Sequence, residues 1–122
     1  MRQILILCFS MWMVLGSSVA AAELIMFEQK YCEYCDLWED EVGGIYHKTP
    51  EGKRAPLRRV DIHETLPEDI AHIPTGRFTP TFVLIEGGVE IGRIRGYGGN
   101  DFFWGLLGQM LDKLPGTKAV DG

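Results

Sequence analysis

The order of apolar and polar positions predicts short strands and helices in alternation. Leu24-Ile25-Met26-Phe27 is a continuous apolar run, the pattern of a strand covered on both faces. After it, Cys35, Trp38, Val42 and Ile45 recur at three- and four-residue steps, while Glu33, Asp36, Glu39, Asp40 and Glu41 fall on or near the other side. That spacing predicts a helix with one buried face. Acidic residues in its early turns suit the positive end of the helix dipole, and Gly43-Gly44 should loosen or end it. Lys48 to Pro56 is rich in turn-forming and charged residues and reads as a loop. Leu57 to Ile62 reads as a second strand, with Val60 and Ile62 sharing a face with Arg58. Glu64 to Ala71 suggests one or two helical turns, with Thr65 as cap, Pro67 early in the helix and Pro74 ending it.

The second half is more regular. Pro80 stands directly before the apolar run Thr81 to Ile85, and proline has no N–H for a strand ladder, so it should mark the entrance of a strand. Gly87-Gly88 is a tight hairpin signal, and Val89 to Arg95 returns as an antiparallel strand in which Gly92 accommodates a bulge. Gly96-Tyr97-Gly98-Gly99 makes a turn, after which Asn100 or Asp101 can cap a final helix. Phe102, Phe103, Leu106, Leu107, Met110, Leu111 and Leu114 give that helix a broad apolar stripe suited to covering a sheet, and Pro115-Gly116 should stop it before a loose tail.

The first 22 residues break this pattern. Met1-Arg2-Gln3, an apolar block from Ile4 to Leu15, and small residues ending in Ala20-Ala21-Ala22 together describe a secretory signal cleaved before Glu23. The block is short for a membrane span, which needs about 20 apolar residues. Cys8 belongs to this segment; as a lipid attachment site it is badly placed, with bulky Leu7 before it and apolar chain still to follow. The remainder, 23–122, has the length of one domain. With 17 acidic against 12 basic residues, the chain carries a net charge of −5, which argues against nucleic acid or an anionic membrane as partner. Arg54, Arg58 and Arg59 cluster locally, as a solvated strand edge would.

Export to a compartment where disulfides persist leaves two cysteines, Cys32 and Cys35, at a strand-to-helix junction. There the first sulfur meets unpaired N–H groups at the helix start, which favour its thiolate, and the second lies one turn further on. Closing so small a ring stabilises a fold little, so a reversible dithiol–disulfide pair is the better reading than an inert staple. Haem attachment would need a histidine where Asp36 stands. Zinc would need two more ligands, and His63 and His72 are too far apart in sequence for the usual spacing. His47, His63 and His72 are expected at the surface or as caps.

The order strand, Cys-x-x-Cys helix, strand, short helix, Thr79-Pro80, hairpin, final helix resembles the thioredoxin-like superfamily over essentially all of the chain after the leader. The resemblance implies an α/β fold, a central mixed four-stranded sheet flanked by helices, and a cis bond between Thr79 and Pro80 that brings the Thr79 backbone beside the sulfurs, where a substrate strand can pair with it. Within the superfamily, Met26 to Trp38, Gly43 to His47 and Leu57 to His63 are most similar to the small periplasmic SoxS-type thioredoxins of bacterial sulfur-oxidation gene clusters. That likeness implies a periplasmic location, the sulfur-carrier protein of thiosulfate oxidation as partner, and a membrane thiol–disulfide transporter as electron donor. A monomer without any cofactor beyond the Cys32–Cys35 pair is expected.

On this reading Cys32 attacks a partner's disulfide and Cys35 resolves the mixed disulfide. Glu33 beside the nucleophile disfavours its thiolate and leans the protein toward reductant, while Lys30 acts the other way. Many thioredoxins carry a buried acid six residues ahead of the first cysteine; here Met26 stands there, so the Cys35 proton must leave through water or another group. Tyr31, Tyr34 and Tyr97 are candidates, with Glu33, Thr79 and Pro80, for the surface that touches substrate, although packing of the tyrosines against the loop of Phe78 or within the turn explains them equally well. Two other functions compete: a general disulfide oxidase or isomerase, and a non-catalytic module that binds peptide with its disulfide permanently closed.

Overall fold

The computed structural model describes residues 22–115. The export signal expected at 1–22 lies outside them except for Ala22, and so does the tail after residue 115. Ala22 is the first residue of strand β1, Ala22–Glu28. It is followed by α1 (Glu33–Trp38), α2 (Pro50–Arg54), β2 (Leu57–Asp61), β3 (Thr81–Glu86), β4 (Val89–Arg95) and α3 (Asn100–Leu111).

The strands form one sheet in the order β2-β1-β3-β4. β1 and β2 run parallel, and β3 is antiparallel to both β1 and β4. A parallel pair requires a crossover between its strands, and α1, α2 and the turns joining them supply it. Gly87 and Gly88 both adopt positive φ, +58° and +78°, so they close the β3–β4 hairpin with the twist its strands need. The register of that hairpin slips between Leu84 and Ile85, opposite Gly92 and Glu90, where the alternation along β4 falters.

Two cores follow from the two faces. On one, Leu24, Met26, Phe82 and Leu84 meet residues of α1 and α3, including Trp38, Phe103 and Leu107. On the other, Ile25, Phe27, Val60, Val83 and Ile85 are covered by Ile70 and Ile73 from the connection between β2 and β3.

Several elements differ from the expectation. The cysteine helix passes after Trp38 into a π turn, Glu39–Gly43, and Ile45 beyond it is 49% exposed. Once the α-helix has ended, its period no longer governs, and Tyr46 takes the inward position instead. Its hydroxyl donates to the Ala55 carbonyl at 2.6 Å, and its ring stacks on Trp104. The 48–56 segment is not all loop, because Thr49 caps α2 by accepting from the Gly52 N–H at 3.0 Å and Pro50 occupies the first turn. Gly52 is required there: a Cβ would lie 1.9 Å from the Tyr46 carbonyl oxygen.

The helix expected over 64–71 shrinks to a 3-10 turn, Glu68–Ile70, and Thr65 does not cap it. Pro67 keeps an extended ψ of 144° and disfavours helix in the residue before it, so the turn starts only after it. Neither Asn100 nor Asp101 caps α3; Gly99, at φ +106°, turns the chain directly into the helix with Asn100 already inside it. The stripe on α3 is wider than the sheet can cover, and Phe102 (67%) and Leu106 (38%) remain exposed. Of the three arginines, Arg58 and Arg59 lie on the edge strand β2, where Arg58 pairs with Glu23 and Asp69 and Arg59 with Glu28 and Glu39, whereas Arg54 is the last residue of α2.

Candidate functional site

β1 and β2 end, and β3 begins, at the same edge of the sheet. Cys32 and Cys35 stand at that edge, joined as a disulfide. Cys32 is the N-cap of α1, and its sulfur accepts from the Cys35 backbone N–H at 3.1 Å. The pair is more enclosed than a helix tip suggests, with Cys32 8% and Cys35 7% exposed, so a partner can reach it only through a narrow opening.

Thr79 and Pro80 lie beside that opening, and their peptide bond is cis. The Thr79 hydroxyl donates to the Cys32 sulfur at 3.2 Å. The preceding loop is tied down on both sides: Thr81 Oγ1 donates to the Phe78 carbonyl at 2.6 Å, and Arg93 Nη2 to that of Pro74 at 3.1 Å. Pro80 is buried, and its carbonyl accepts from the Gly96 N–H at 2.7 Å. Among the described residues the Thr79 backbone is bonded to no other backbone group, which leaves it available to an incoming strand.

A groove of about 680 Å³ opens next to Thr79, lined by Tyr34, Leu37, Phe78, Thr79 and the turn Arg95 to Gly99. The structure therefore brings Tyr34, Thr79 and Tyr97 to one groove. Tyr34 (58%) and Phe78 (71%) present their rings to solvent, whereas Tyr97 is buried with its ring edge-on to Phe103 at 6.3 Å. Burial, with the Glu41 carboxylate nearby, pushes the Tyr97 hydroxyl above its ordinary pKa. Tyr31 and Glu33 are not part of this groove. Tyr31 is fully exposed at φ +62°, and Glu33 points its side chain to solvent at the start of α1.

Met26 is wholly buried in the helix-covered core and offers Cys35 no proton acceptor. On the other side of Cys35 is a polar cavity of about 380 Å³ lined by Glu28, Asp36, Glu39, Arg59 and Asp61 among others. It is roomy enough for water and supplies carboxylates a short path from the sulfur.

The solved structures extend this geometry. The reduced periplasmic thioredoxin SoxS of Paracoccus pantotrophus superposes with a TM-score of 0.71 at 41% identity, over 75% of this chain and 97% of that one. The chain belongs to the thioredoxin-like family, on its SoxS-like side. Two more distant thioredoxins share the fold: Mala s 13 of Malassezia sympodialis at 24% identity (TM-score 0.56, 75% and 76% covered) and thioredoxin-2 of a malaria parasite at 21% (TM-score 0.56, 73% and 82% covered). No protein-family model matches the chain, and none of the curated proteins does. With the Cys32–Cys35 disulfide, family membership makes this thioredoxin-like protein a thiol–disulfide oxidoreductase.

Two residues escaped sequence reasoning. Gln29, just past β1, donates through Nε2 to the Thr79 hydroxyl oxygen at 2.8 Å, and its Oε1 meets His63 Nε2 at 2.8 Å. His63 is exposed, as expected of it, but its ring is tied into this chain of contacts. Neither residue carries a local sequence signal, because each finds these partners only where segments distant in sequence meet.

Proposed function

We propose that this thioredoxin-like protein works in the periplasm as a reductant of one protein partner, with Cys32 attacking and Cys35 resolving. The observation that carries the reading is the Cys32 sulfur held against the Thr79 hydroxyl beside a groove with exposed aromatic walls. Reduced Cys32, as thiolate, attacks one sulfur of the partner's disulfide, forming a mixed disulfide and expelling the other sulfur as thiolate. Cys35 then gives up its proton into the Glu28–Asp36–Glu39 cavity and attacks Cys32. The partner leaves with both sulfurs reduced, and the two electrons have come from the pair, so no other cofactor is needed.

The apolar groove suits an extended segment of protein lying against Thr79, with side chains over Tyr34 and Phe78. The SoxS likeness supports a periplasmic location, with export directed by residues 1–22; a sulfur-carrier protein as partner and a membrane thiol–disulfide transporter as electron source complete the proposal. A monomer fits a single groove and a single redox pair.

The Cys35→Ser variant should accumulate a covalent, reducible complex with the natural partner, and Cys32→Ser should not. Recovery of no adduct from Cys35→Ser would remove the catalytic reading and favour the peptide-binding module. Direction is decided by the reduction potential, expected nearer the thioredoxin value of about −270 mV than the oxidase extreme of about −120 mV. A value near the latter would establish an oxidase.

A further inference from the structure

Four side chains form an unbroken line that ends on the attacking sulfur. His63 Nε2 lies 2.8 Å from Gln29 Oε1, Gln29 Nε2 lies 2.8 Å from Thr79 Oγ1, and Thr79 Oγ1 lies 3.2 Å from Cys32 Sγ. They come from four places in the chain: the residues just after β1 and β2, the residue before Pro80, and the cap of α1. With the Gln29 amide oxygen facing His63 and its nitrogen facing Thr79, donor capacity fixes the direction of every link. An amide oxygen only accepts, so His63 must donate to it; an amide nitrogen only donates, so the Thr79 oxygen must accept from it. The single hydrogen of the Thr79 hydroxyl is then left for the sulfur. His63 is itself steadied, since its backbone N–H donates to Asp61 Oδ1 at 2.8 Å. Its ring can donate through Nε2 whether neutral or protonated, so the line does not depend on the charge of His63.

We infer that Gln29, oriented by His63, is a positioning residue that commits the Thr79 hydroxyl to donate to Cys32 and thereby stabilises its thiolate. A free hydroxyl would turn to whichever acceptor lay nearest; a hydroxyl already accepting from an amide keeps its hydrogen on the sulfur. Hydrogen bonds to a charged sulfur are stronger than those to a neutral one, and each donor in a chain polarises the next. The line therefore favours thiolate over thiol. It rests on the reading of Cys32 as the attacking sulfur.

The test is a titration of reduced, full-length protein in a Cys8→Ser, Cys35→Ser background, where the ultraviolet absorbance of the thiolate follows Cys32 alone and without any partner. Gln29→Glu keeps the shape of the side chain but makes it accept only, so it draws the Thr79 hydrogen away from sulfur. The Cys32 midpoint should rise by roughly one pH unit, the worth of one hydrogen bond to a charged group. Gln29→Leu, which merely frees the hydroxyl, should give a smaller rise. In a Thr79→Val background, Gln29→Leu should move nothing and Gln29→Glu should retain only the through-space effect of its charge. A rise for Gln29→Glu as large with valine at 79 as with threonine overturns the proposal. So does an unchanged midpoint for Gln29→Glu with Thr79 present, and this variant alone suffices should Gln29→Leu not fold. Because the titration needs no partner, its failure is distinct from failure to trap one.

Discussion

The two faces of the sheet are built differently, and the difference explains where the chemistry sits. Beneath the cysteine helix, Trp38, Phe82 and Phe103 meet at tilted and edge-on angles with centroids 4.9 to 5.7 Å apart, and Tyr46 joins them. Aromatic pairs have preferred angles, so such a cluster holds α1 in orientation as well as in place. The opposite face is mainly aliphatic: Ile25, Val60, Val83 and Ile85 under Ile70 and Ile73. Its cover is a single 3-10 turn with its flanking chain, tied to the strand edge where Arg58 donates to Asp69 through two nitrogens, at 2.6 and 2.8 Å. The helix side aims a sulfur, whereas the other side only excludes water.

Truncation should separate these roles. Phe103→Ala, at a residue 1% exposed, is expected to cost about 3–5 kcal/mol in urea unfolding and also to slow disulfide reduction by the molecules that remain folded, because Trp38 loses a neighbour. Ile70→Ala on the aliphatic face should cost about 2–4 kcal/mol and leave the rate per folded molecule unchanged. Equal losses of rate in the two variants would break the distinction.

A finer effect concerns the clasp over the aliphatic face. The Arg58 guanidinium hydrogen-bonds the Asp69 carboxylate and holds its pKa below the ordinary value. A carboxyl depressed on folding stabilises the fold above its unfolded pKa of about 3.9, and that contribution is lost as pH falls through the lower folded value. Asp69→Asn should therefore lower the unfolding midpoint slightly at pH 7, less at high salt, and the gap from the unsubstituted protein should close in acid. A gap that persists undiminished at the acid end would mean that the pair is not its source.

Much of the architecture was readable along the chain because its signals are local. The run at 24–27, the Cys-x-x-Cys spacing, Pro80 before an apolar strand and Gly87-Gly88 each constrain only their neighbours, and each was found in the element expected of it. The α2 helix was missed although Thr49-Pro50 is a recognisable start, because Gly52 and the charged residues around it read as loop. Ile45 and Tyr46 both suit a helical period, and only the π turn and the Ala55 carbonyl select Tyr46. At the site, periodicity could not tell that Tyr34 would line the groove and Tyr31 would stand clear of it.

By itself the amino-acid order determined the four strands, the cysteine helix and the final helix, which two sulfurs form the redox pair, and which proline begins β3. These depend on backbone preference and on spacings of a few residues. Only the tertiary structure decided that Gln29 and His63 reach Thr79, that Gly52 lies under the Tyr46 carbonyl, and that Cys35 borders a polar cavity in place of a buried acid. Those facts depend on where distant segments converge at one end of the sheet, and a hydrogen bond or a close approach between such segments leaves no periodic trace in either of them.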